Sequence, residues 1–390
     1  MVRGFKFRFY PTPEQGAALS RTFGACRFVY NFALALRTQA WYERKERVNY
    51  PRTSAELTKL KKQTDTAWLN EISSVPTQQS LRSLQVAFVN FWEKRAGHPS
   101  FKKKGGKQSA EYTTSAFKWD GEVLSLAKIG PLKIKWSRRF FGKPSTVNVS
   151  KTPSGRYYVS FRVDEPPKTM PPAEGAIGVD LGLTDFAVTS NGSKYQSPRP
   201  LRRKMAQLKR AQKALSRKKK GSKNRNKARI RVAKIHQKIS DIRQDFLHKL
   251  STKLVCENQT IVIEDLNVRG MLSNHCLAGS ISDSGWSEFT RQLAYKCAWY
   301  GRELIKIDRW FPSSKRCSKC GHVATSMPLN VRQWICPQCG AEHDRDVNAA
   351  ANISGAGLAL KACGDGVRPK RPQGRKGNCL RSRNRSVGCV

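Results

Sequence analysis

The sequence predicts a multidomain α+β protein, in which a helical region, a set of short strands and an α/β region follow one another. Three observations support this fold class. Apolar residues recur at helical spacing near the N-terminus, alternate in short runs after about residue 100, and form continuous buried-type strands beyond a proline-rich segment. The length of 390 residues accommodates two or three domains.

The first hundred residues combine a strand with a helical unit. Charged and aromatic residues alternate from Phe5 to Phe9, which predicts the strand. Thr12 can cap a helix that starts at Pro13, and Gln15 completes a capping box. Two further helical patterns follow, over residues 53–61 and 81–92.

Alternating runs after a basic loop, Lys102–Lys107, predict antiparallel strands that form a small sheet or β-barrel. The runs cover residues 123–126, 132–136, 146–149 and 157–163. The proline pairs at 166–167 and 171–172 then predict a stiff linker and the clearest domain boundary.

The charge of the chain indicates a polyanionic partner. Its 73 Lys and Arg exceed its 28 Asp and Glu by 45, and such an excess repels itself in a folded protein unless a polyanion compensates it. Nucleic acid is the expected partner, and a membrane surface is the alternative, although no cationic amphipathic helix with an aromatic face stands out. The tryptophans at 41, 68, 92 and 119 lie mostly at helix or strand periodicity, so we interpret them as core rather than as base-stacking platforms.

The highest charge density lies between Arg199 and Arg243, where 19 Lys or Arg accompany a single acid. Two predicted helices there have an apolar stripe and a basic back. The turn between them contains Lys218, Lys219 and Lys220. A charge run is often only a solvated face, but this density favours a track for phosphates.

The chain lacks the features of a membrane or secreted protein. No run of about 18 apolar residues occurs, and the N-terminus has no continuous apolar stretch of the signal-peptide type. Eleven cysteines, seven of them scattered, fit a reducing compartment better than a disulfide framework. We therefore expect a cytoplasmic protein.

Two C-x-x-C pairs predict one structural zinc ion. Cys317 and Cys320 are separated from Cys336 and Cys339 by 15 residues, and four thiolates are the usual ligands of a closed tetrahedral zinc site. A redox motif would need only one pair. A catalytic zinc would keep one position open, so we interpret the ion as structural.

Three acids stand at positions typical of a metal site. Asp180 ends a strand and lies between Gly178 and Gly182, which we interpret as space for a ligand; Glu264 ends a second strand, and Asp346 starts a helix. Carboxylates at sheet ends are costly without a cation. Three of them can hold two Mg²⁺ about 3.5–4 Å apart for phosphodiester hydrolysis. Backbone hydrogen bonds and helix capping are the alternative reading of the same residues.

Neighbouring acids compete for these assignments. Asp265 is adjacent to Glu264, Asp185 is expected to shape a turn, and Asp344 can replace Asp346 or contact the cysteine-rich insert. The flanking His322 and His343 are expected to pack or contact phosphate rather than bind the metal.

Several motifs together resemble the TnpB family, the RNA-guided DNA nucleases of insertion-sequence transposons, related to compact type V CRISPR effectors. The similarity covers about residues 1–360. It is carried by both cysteine pairs and by the segments 178–182, 243–250, 263–268, 280–286, 311–315 and 344–353.

This resemblance implies a RuvC-like, RNase H-type nuclease with a zinc-ribbon insert, a helical recognition domain and a wedge-like β-barrel. The expected ranges are 1–10 and 100–167 for the wedge, 11–99 for the helical domain, 174–310 and 345–362 for the nuclease, 311–344 for the ribbon and 363–390 for a disordered basic tail.

The resemblance also implies the site and its partners. Asp180, Glu264 and Asp346 are the expected catalytic acids for two Mg²⁺, and the family's pattern favours Asp346 over Asp344. A transposon-end guide RNA and double-stranded target DNA are the expected partners of a monomeric ribonucleoprotein. Tyr50, Ser54 and Gln78 are expected to read a short motif beside the target.

The predicted function is therefore RNA-guided DNA cleavage. Two alternatives remain open: a catalytically silent RNA-guided regulator that binds DNA, and a transposase that cuts and joins DNA without RNA.

Overall fold

The structure, a computed structural model, describes residues 1–328 and 330–362. Its contacts divide the chain into two compact units. The first contains Met1–Pro171, Pro198–Thr252 and Asn274–Gly301, and the second contains Pro172–Ser197, Lys253–Ser273 and the residues from Arg302 onward. The predicted tail, 363–390, lies outside the described residues. The domain limits expected from the sequence stay a prediction.

The first unit contains a five-stranded antiparallel sheet. Its strands are β1 (Val2–Phe9), β2 (Gln108–Thr113), β6 (Ile134–Lys135), β7 (Pro144–Lys151) and β8 (Tyr157–Asp164). They are ordered β2-β7-β8-β1-β6, and β1 pairs with β8 along its whole length. Phe5, Phe7 and Phe9 point into the core, as the alternation of buried and exposed residues predicts.

A second, three-stranded sheet packs on the same core. It consists of β3 (Phe117–Trp119), β4 (Leu124–Leu126) and β5 (Gly130–Leu132), and its leucines join one apolar cluster with the phenylalanines of β1. Within the described residues the edge strands β2 and β6 do not pair with each other. The strands β3–β5 pair among themselves and β6 has only two residues, so no closed barrel is detected in this part of the chain.

The helical unit follows the predicted order. It consists of α1 (Pro13–Arg44), α2 (Tyr50–Lys62), a 3₁₀ segment (Thr64–Asn70) and α3 (Ser74–Trp92). The capping box at the start of α1 is present, since Thr12 accepts from the N–H of Gln15 and Gln15 accepts in return. Leucines and aromatic residues of the three helices share one buried cluster.

The basic segment forms two helices, α4 (Pro200–Ser216) and α5 (Lys223–Glu257). Their apolar stripes meet through Leu208, Ile235 and Ile239, which leaves the Lys and Arg side chains on the outside. Two further helices, α7 (Ala278–Ser284) and α8 (Trp286–Tyr300), complete this part of the first unit. The buried carboxylate of Asp283 accepts from the N–H groups at the start of α4 and pairs with Arg243 at 3.0 Å.

The second unit is built on a mixed sheet. Its strands are β9 (Ala176–Asp180), β10 (Ala187–Thr189), β11 (Lys194–Tyr195), β12 (Thr260–Glu264) and β13 (Glu303–Ile307), and the short helix α6 (Val268–Met271) follows β12. The order is β11-β10-β9-β12-β13. The strands β9, β12 and β13 are parallel, whereas β10 is antiparallel to β9.

A cysteine-rich insert and a terminal helix complete this unit. The insert contains the hairpin β14 (Gln333–Ile335) and β15 (Glu342–Asp344), and α9 (Arg345–Ala362) then packs on the sheet. The predicted multidomain α+β architecture is confirmed, with the strand ends and the start of α9 available to form a site. No helix in the described part of the chain is long and apolar enough to cross a membrane.

Candidate active site and metal centre

Two of the three predicted acids end neighbouring strands of the mixed sheet, and the third starts the helix α9. Asp180 is the last residue of β9 and Glu264 the last of β12. Val179 pairs with Ile263 in parallel register, so Asp180 and Glu264, the next residue of each strand, lie side by side. Asp346 lies in the first turn of α9, and its charge, like that of Glu264, acts on Asp180. The structure thus brings together residues that are far apart in the sequence.

Two glycines bring α9 to these strand ends. A Cβ at Gly178 would overlap the backbone carbonyl of Ala350 on α9, and a Cβ at Gly357 would overlap the side chain of Val262 on β12. From the sequence, Gly178 is interpreted as space for a ligand. The structure shows instead that it permits a close approach between helix and strand, which sets the distance of Asp346 from the strand ends.

The electrostatics disfavour the ionised forms of Asp180 and Glu264. Burial, reinforced by the charges of Glu264 and Asp346, raises the pKa of Asp180 to about 7. Burial also raises the pKa of Glu264, although the Ser313 hydroxyl donates to its Oε1 at 2.6 Å and partly opposes the shift. Like charges held together and out of water are the setting in which a divalent cation is favoured, and a metal site at these acids stays a prediction.

An arginine that the sequence analysis missed contacts this cluster. Arg332 lies in the spacer between the two cysteine pairs, and its Nη1 is 3.2 Å from Oδ2 of Asp346. Its Nη2 donates to Thr184 at 3.3 Å. Nothing in the sequence distinguishes it from the other arginines.

The competing acids have other partners. Asp344 accepts from the backbone N–H groups of Asp346 and Val347 and pairs with Lys194 at 2.7 Å, so it caps α9 rather than joining the cluster. Burial opposes ionisation of Asp344, but these hydrogen bonds outweigh it and lower its pKa. Asp265 pairs with the cations of the neighbouring β13 segment, Lys306 and Arg309.

The four cysteines form a compact group. Their sulfur atoms lie within 4.8 Å of one another, and the Sγ–Sγ distances are 3.7 Å for Cys317–Cys339 and 3.6 Å for Cys320–Cys336. Zn–S bonds of about 2.3 Å in a tetrahedron require sulfur atoms roughly 3.8 Å apart, so the group fits zinc.

Both cysteine knuckles have the same backbone. In each, the first cysteine donates its N–H to a residue five positions on and accepts from the N–H of a glycine four positions on. These glycines, Gly321 and Gly340, have φ of +79° and +67°, a region that favours glycine. Although burial raises the pKa of the Cys317 thiol, backbone N–H groups of Cys320 and Lys319 lower it below its usual value, which favours the thiolate that zinc binds.

The histidine beside the ribbon packs as expected. His343 is buried, its Nε2 lies 3.0 Å from the sulfur of Cys317, and its ring lies 5.0 Å from that of Trp334. On α9, Asn348 and Asn352 donate to the carbonyl of Arg316 at 2.7 and 2.6 Å. These amides attach the first knuckle to the helix that bears Asp346.

The predicted nucleic-acid contacts lie on the first unit. Tyr50 starts α2 under the guanidinium of Arg82, 5.3 Å from its ring, and Ser54 is half-buried one turn later. Gln78 is exposed on α3. Lys218, Lys219 and Lys220 are exposed between α4 and α5. Their roles stay predictions.

Comparison with known proteins gives the family of the chain. A family model described as "Probable transposase" matches residues 158–275, and one described as "Cas12f1-like, TNB domain" matches 286–353. A third, described as "Helix-turn-helix domain", matches 1–46. In the solved structures, a Cas12f1 complex with guide RNA and target DNA shares the fold, with a TM-score of 0.55 and 14% identity over 91% of this chain and 98% of that one.

Relatives match over nearly the whole sequence. A protein of Streptomyces pristinaespiralis, described as a candidate RNA-guided DNA endonuclease, is 55% identical across 96% of this chain and 94% of its own length. A protein of Escherichia coli K12 with the same description is 34% identical across 95% and 96%. With such identity over almost its full length, the chain belongs to the TnpB family, the OrfB-type probable transposases of IS605 elements.

Proposed function

We propose that this chain is an RNA-guided DNA endonuclease that cuts with Asp180, Glu264 and Asp346. The observation that carries the proposal is the convergence of these acids at two neighbouring strand ends and the start of α9, where burial and mutual repulsion raise the pKa of Asp180 to about 7. The relatives named as RNA-guided DNA endonucleases support the same activity. The net charge of +45 supports a nucleic-acid partner.

Mg²⁺ is the proposed catalytic cation. Asp180, Glu264 and Asp346 would hold two ions, which supply water activation and stabilisation of the leaving oxygen in phosphodiester hydrolysis. The hydroxyl of Ser313 fixes the orientation of the Glu264 carboxylate. The cap provided by Asp344 fixes the start of α9, so that Asp346 keeps its direction toward the strand ends.

Zinc has a structural role in this proposal. Four thiolates leave no open coordination position, so the ion would stabilise the ribbon and the segment around Arg332 without taking part in hydrolysis.

The proposed partners are a transposon-end guide RNA and double-stranded DNA, bound by a single copy of the chain. The guide pairs with one DNA strand, while the protein holds the heteroduplex through its shape and phosphates. Tyr50, Ser54 and Gln78 are the proposed readers of a short flanking motif. A silent regulator is disfavoured because it would not need the three acids, and all three are present. A transposase is the other alternative, and it is distinguished by cutting DNA without RNA.

A guide exchange tests this function. Protein carrying either of two guides is challenged with plasmids that contain both targets beside randomised flanks. We expect each guide to direct cutting to its own target, next to one flanking motif shared by both guides. Cutting at one site with both guides, or cutting that persists after all RNA is removed, would reject RNA guidance. Guided binding without cutting would identify the regulator.

A further inference from the structure

A cavity of about 370 Å³ lies between the end of α1 and the end of α3 in the first unit. Its size is at the lower end of the roughly 300–1,000 Å³ typical of small-ligand sites. Its walls are largely aromatic. They include Trp41, Tyr42, Phe88, Phe91, Trp92 and His98.

Two of these wall residues are more exposed than the sequence predicts. Trp41 and Trp92 lie on helices and were interpreted as core, yet 43% of Trp41 and 48% of Trp92 are exposed. Phe88 is buried beneath them, 5.7 Å from Trp92 between ring centroids, and its ring is edge-on to His98. The indole rings therefore present apolar area to solvent on a firmly packed base, the arrangement of a stacking platform.

Cations surround the aromatic rings. The guanidinium of Arg37 lies 4.2 Å from the centroid of Phe88 and 5.9 Å from that of Trp92. Lys45 and Arg47 lie 5.8 and 5.9 Å from the centroid of Trp41. Such positions add cation–π attraction to the rings and leave hydrogen-bond donors beside them.

Arg37 is the most informative of these cations. Only 6% of it is exposed, and its Nη1 donates to Gln85 at 2.9 Å. Within the described residues no carboxylate lies within 4 Å of it. This guanidinium on the cavity wall has five N–H donors and no carboxylate partner, so a ligand in the cavity can accept from it.

The nearby acids are already paired with other arginines. Glu46, at the cavity edge, forms ion pairs with Arg44 and Arg52, and Glu93 forms one with Arg95. The positive charges of Arg37, Lys45 and Arg47 are therefore not cancelled locally. A ligand for this cavity needs a flat face for the indoles and an acceptor edge or negative charge for the cations.

We propose that this cavity binds one unpaired nucleobase of the guide RNA, stacked on Trp41 or Trp92 with a hydrogen-bond acceptor edge toward Arg37. The inference rests on the proposed function and adds a specific RNA site to it. Proteins recognise single-stranded RNA by stacking splayed bases on aromatic rings and bonding their edges. A nucleotide meets all three requirements, because its base has a flat face and hydrogen-bond acceptors and its phosphate carries negative charge.

The constant part of the guide is the favoured source of this base. A fixed pocket suits a base that is present at every target, whereas a base of the target strand changes with each target and is paired with the guide. A second copy of the chain is disfavoured as occupant, because each copy carries a net charge of +45 and would approach a basic rim.

A fluorescence scan with the full-length protein tests the site. The copurifying RNA is sequenced, and guides are made with 2-aminopurine at one unpaired constant position each. We expect one position to be quenched on binding, because 2-aminopurine loses fluorescence when it stacks. Trp41→Ala or Trp92→Ala should restore the fluorescence and weaken guide binding about 5- to 150-fold, and Trp41→Phe should retain most quenching.

The matched control is Trp310→Ala. Trp310 belongs to the second unit and is 85% exposed, so it is an accessible tryptophan, like Trp41 and Trp92, that does not line the cavity. Its replacement should leave the fluorescence quenching at the identified guide position unchanged. Thermal melts of each variant check folding, and quenching is compared at saturating protein.

Three outcomes would overturn the proposal. The first is quenching that persists in both Trp41→Ala and Trp92→Ala. The second is tryptophan-dependent quenching that occurs only when 2-aminopurine is placed in a target DNA strand. The third is a concentration-dependent dimer that Trp41→Ala abolishes. Guided cleavage by the wild type would still stand in each case. Conversely, Trp-dependent quenching in a protein that never cuts would retain the cavity and reject the endonuclease.

Discussion

Arg332 and Asp346 form an ion pair, with Nη1 3.2 Å from Oδ2, across a loop of the cysteine-rich insert and the first turn of α9. The pair ties the ribbon to the candidate active site. It also occupies a carboxylate oxygen that a metal ion would need. The cation of Arg332 and the proposed Mg²⁺ therefore compete for one ligand.

Replacing Arg332 should tighten metal binding. The Arg332→Gln variant removes the competing charge, and since a partly exposed pair is worth at most about 1 kcal/mol, we expect up to roughly fivefold higher affinity. Titration with Mn²⁺ in place of Mg²⁺, followed by electron paramagnetic resonance, measures the metal affinity. Arg309→Gln, which breaks a pair with Asp265 outside the cluster, is the control. Unchanged or weaker affinity in Arg332→Gln would contradict the competition.

The raised pKa of Asp180, about 7, predicts how stability depends on pH without Mg²⁺. Unfolding returns this carboxyl to its ordinary pKa of 3.8, so the folded state binds the proton more tightly. The resulting stabilisation is present at low pH and is lost as pH rises through about 7, by an amount of the order of 4 kcal/mol at most. Glu264 shifts in the same direction.

Asp180→Asn should therefore raise the thermal midpoint of the Mg²⁺-free protein at pH 8 more than at pH 5. Mg²⁺ should stabilise the wild type at pH 8 but not this variant, because it binds the folded acids. Melting curves at both pH values, with and without Mg²⁺, provide the measurement. Asp265→Asn serves as the control, and an equal effect at both pH values would refute the assignment.

The three clustered acids and the neighbouring Asp344 should differ in function. Asp180→Ala, Glu264→Ala and Asp346→Ala should each abolish cleavage while leaving target binding largely intact, because the proposed phosphate and guide contacts lie elsewhere. Asp344→Ala should still cut, with a loss of stability of about 1 kcal/mol from the missing helix cap. Plasmid cleavage and gel-shift assays compare the four. An inactive Asp344→Ala beside an active Asp346→Ala would reverse the roles.

Local chemistry in the sequence predicted much of this arrangement. Thr12 and Gln15 form the expected capping box, and the acids end the strands to which they were assigned. Such features depend on residues a few positions apart or on strand periodicity. The parallel pairing of β9 and β12 then brings Asp180 and Glu264 together, as carboxyl ends of neighbouring parallel strands do.

The missed features depend on long-range packing. The partner of Asp346 is one arginine among 73 Lys and Arg, selected by the path of the ribbon loop rather than by a local pattern. Trp41 lies at helical periodicity, but α1 is buried on several sides, so periodicity does not decide whether a given ring is covered. Strand alternation likewise indicated strands at residues 5–9, 123–126, 132–136, 146–149 and 157–163 without deciding whether the sheet closes.

Zinc should depend on all four thiolates. Cys320→Ser removes one ligand, and because binding free energy contributes directly to folding of such a ribbon, zinc content and solubility should fall together. Cys256→Ser, at an exposed cysteine outside the group, should retain the ion. Elemental analysis of the purified proteins decides the point. A Cys320→Ser protein with full activity and no metal would exclude the structural role.

The basic turn between α4 and α5 should bind phosphates without regard to sequence. Lys218, Lys219 and Lys220 are exposed, and each phosphate contact lowers log affinity by about 0.7–0.9 per unit of log salt. Changing all three to Gln should weaken binding to unrelated RNAs and reduce the salt slope by up to roughly 2–3. The matched control changes Lys59, Lys249 and Lys361 to Gln, since these lysines are paired with acids and contribute little free charge. Filter binding across a salt series measures both slopes. Equal slopes in the two triple variants would mean that the turn is only a solvated face, whereas a selective reduction would identify it as part of the phosphate track.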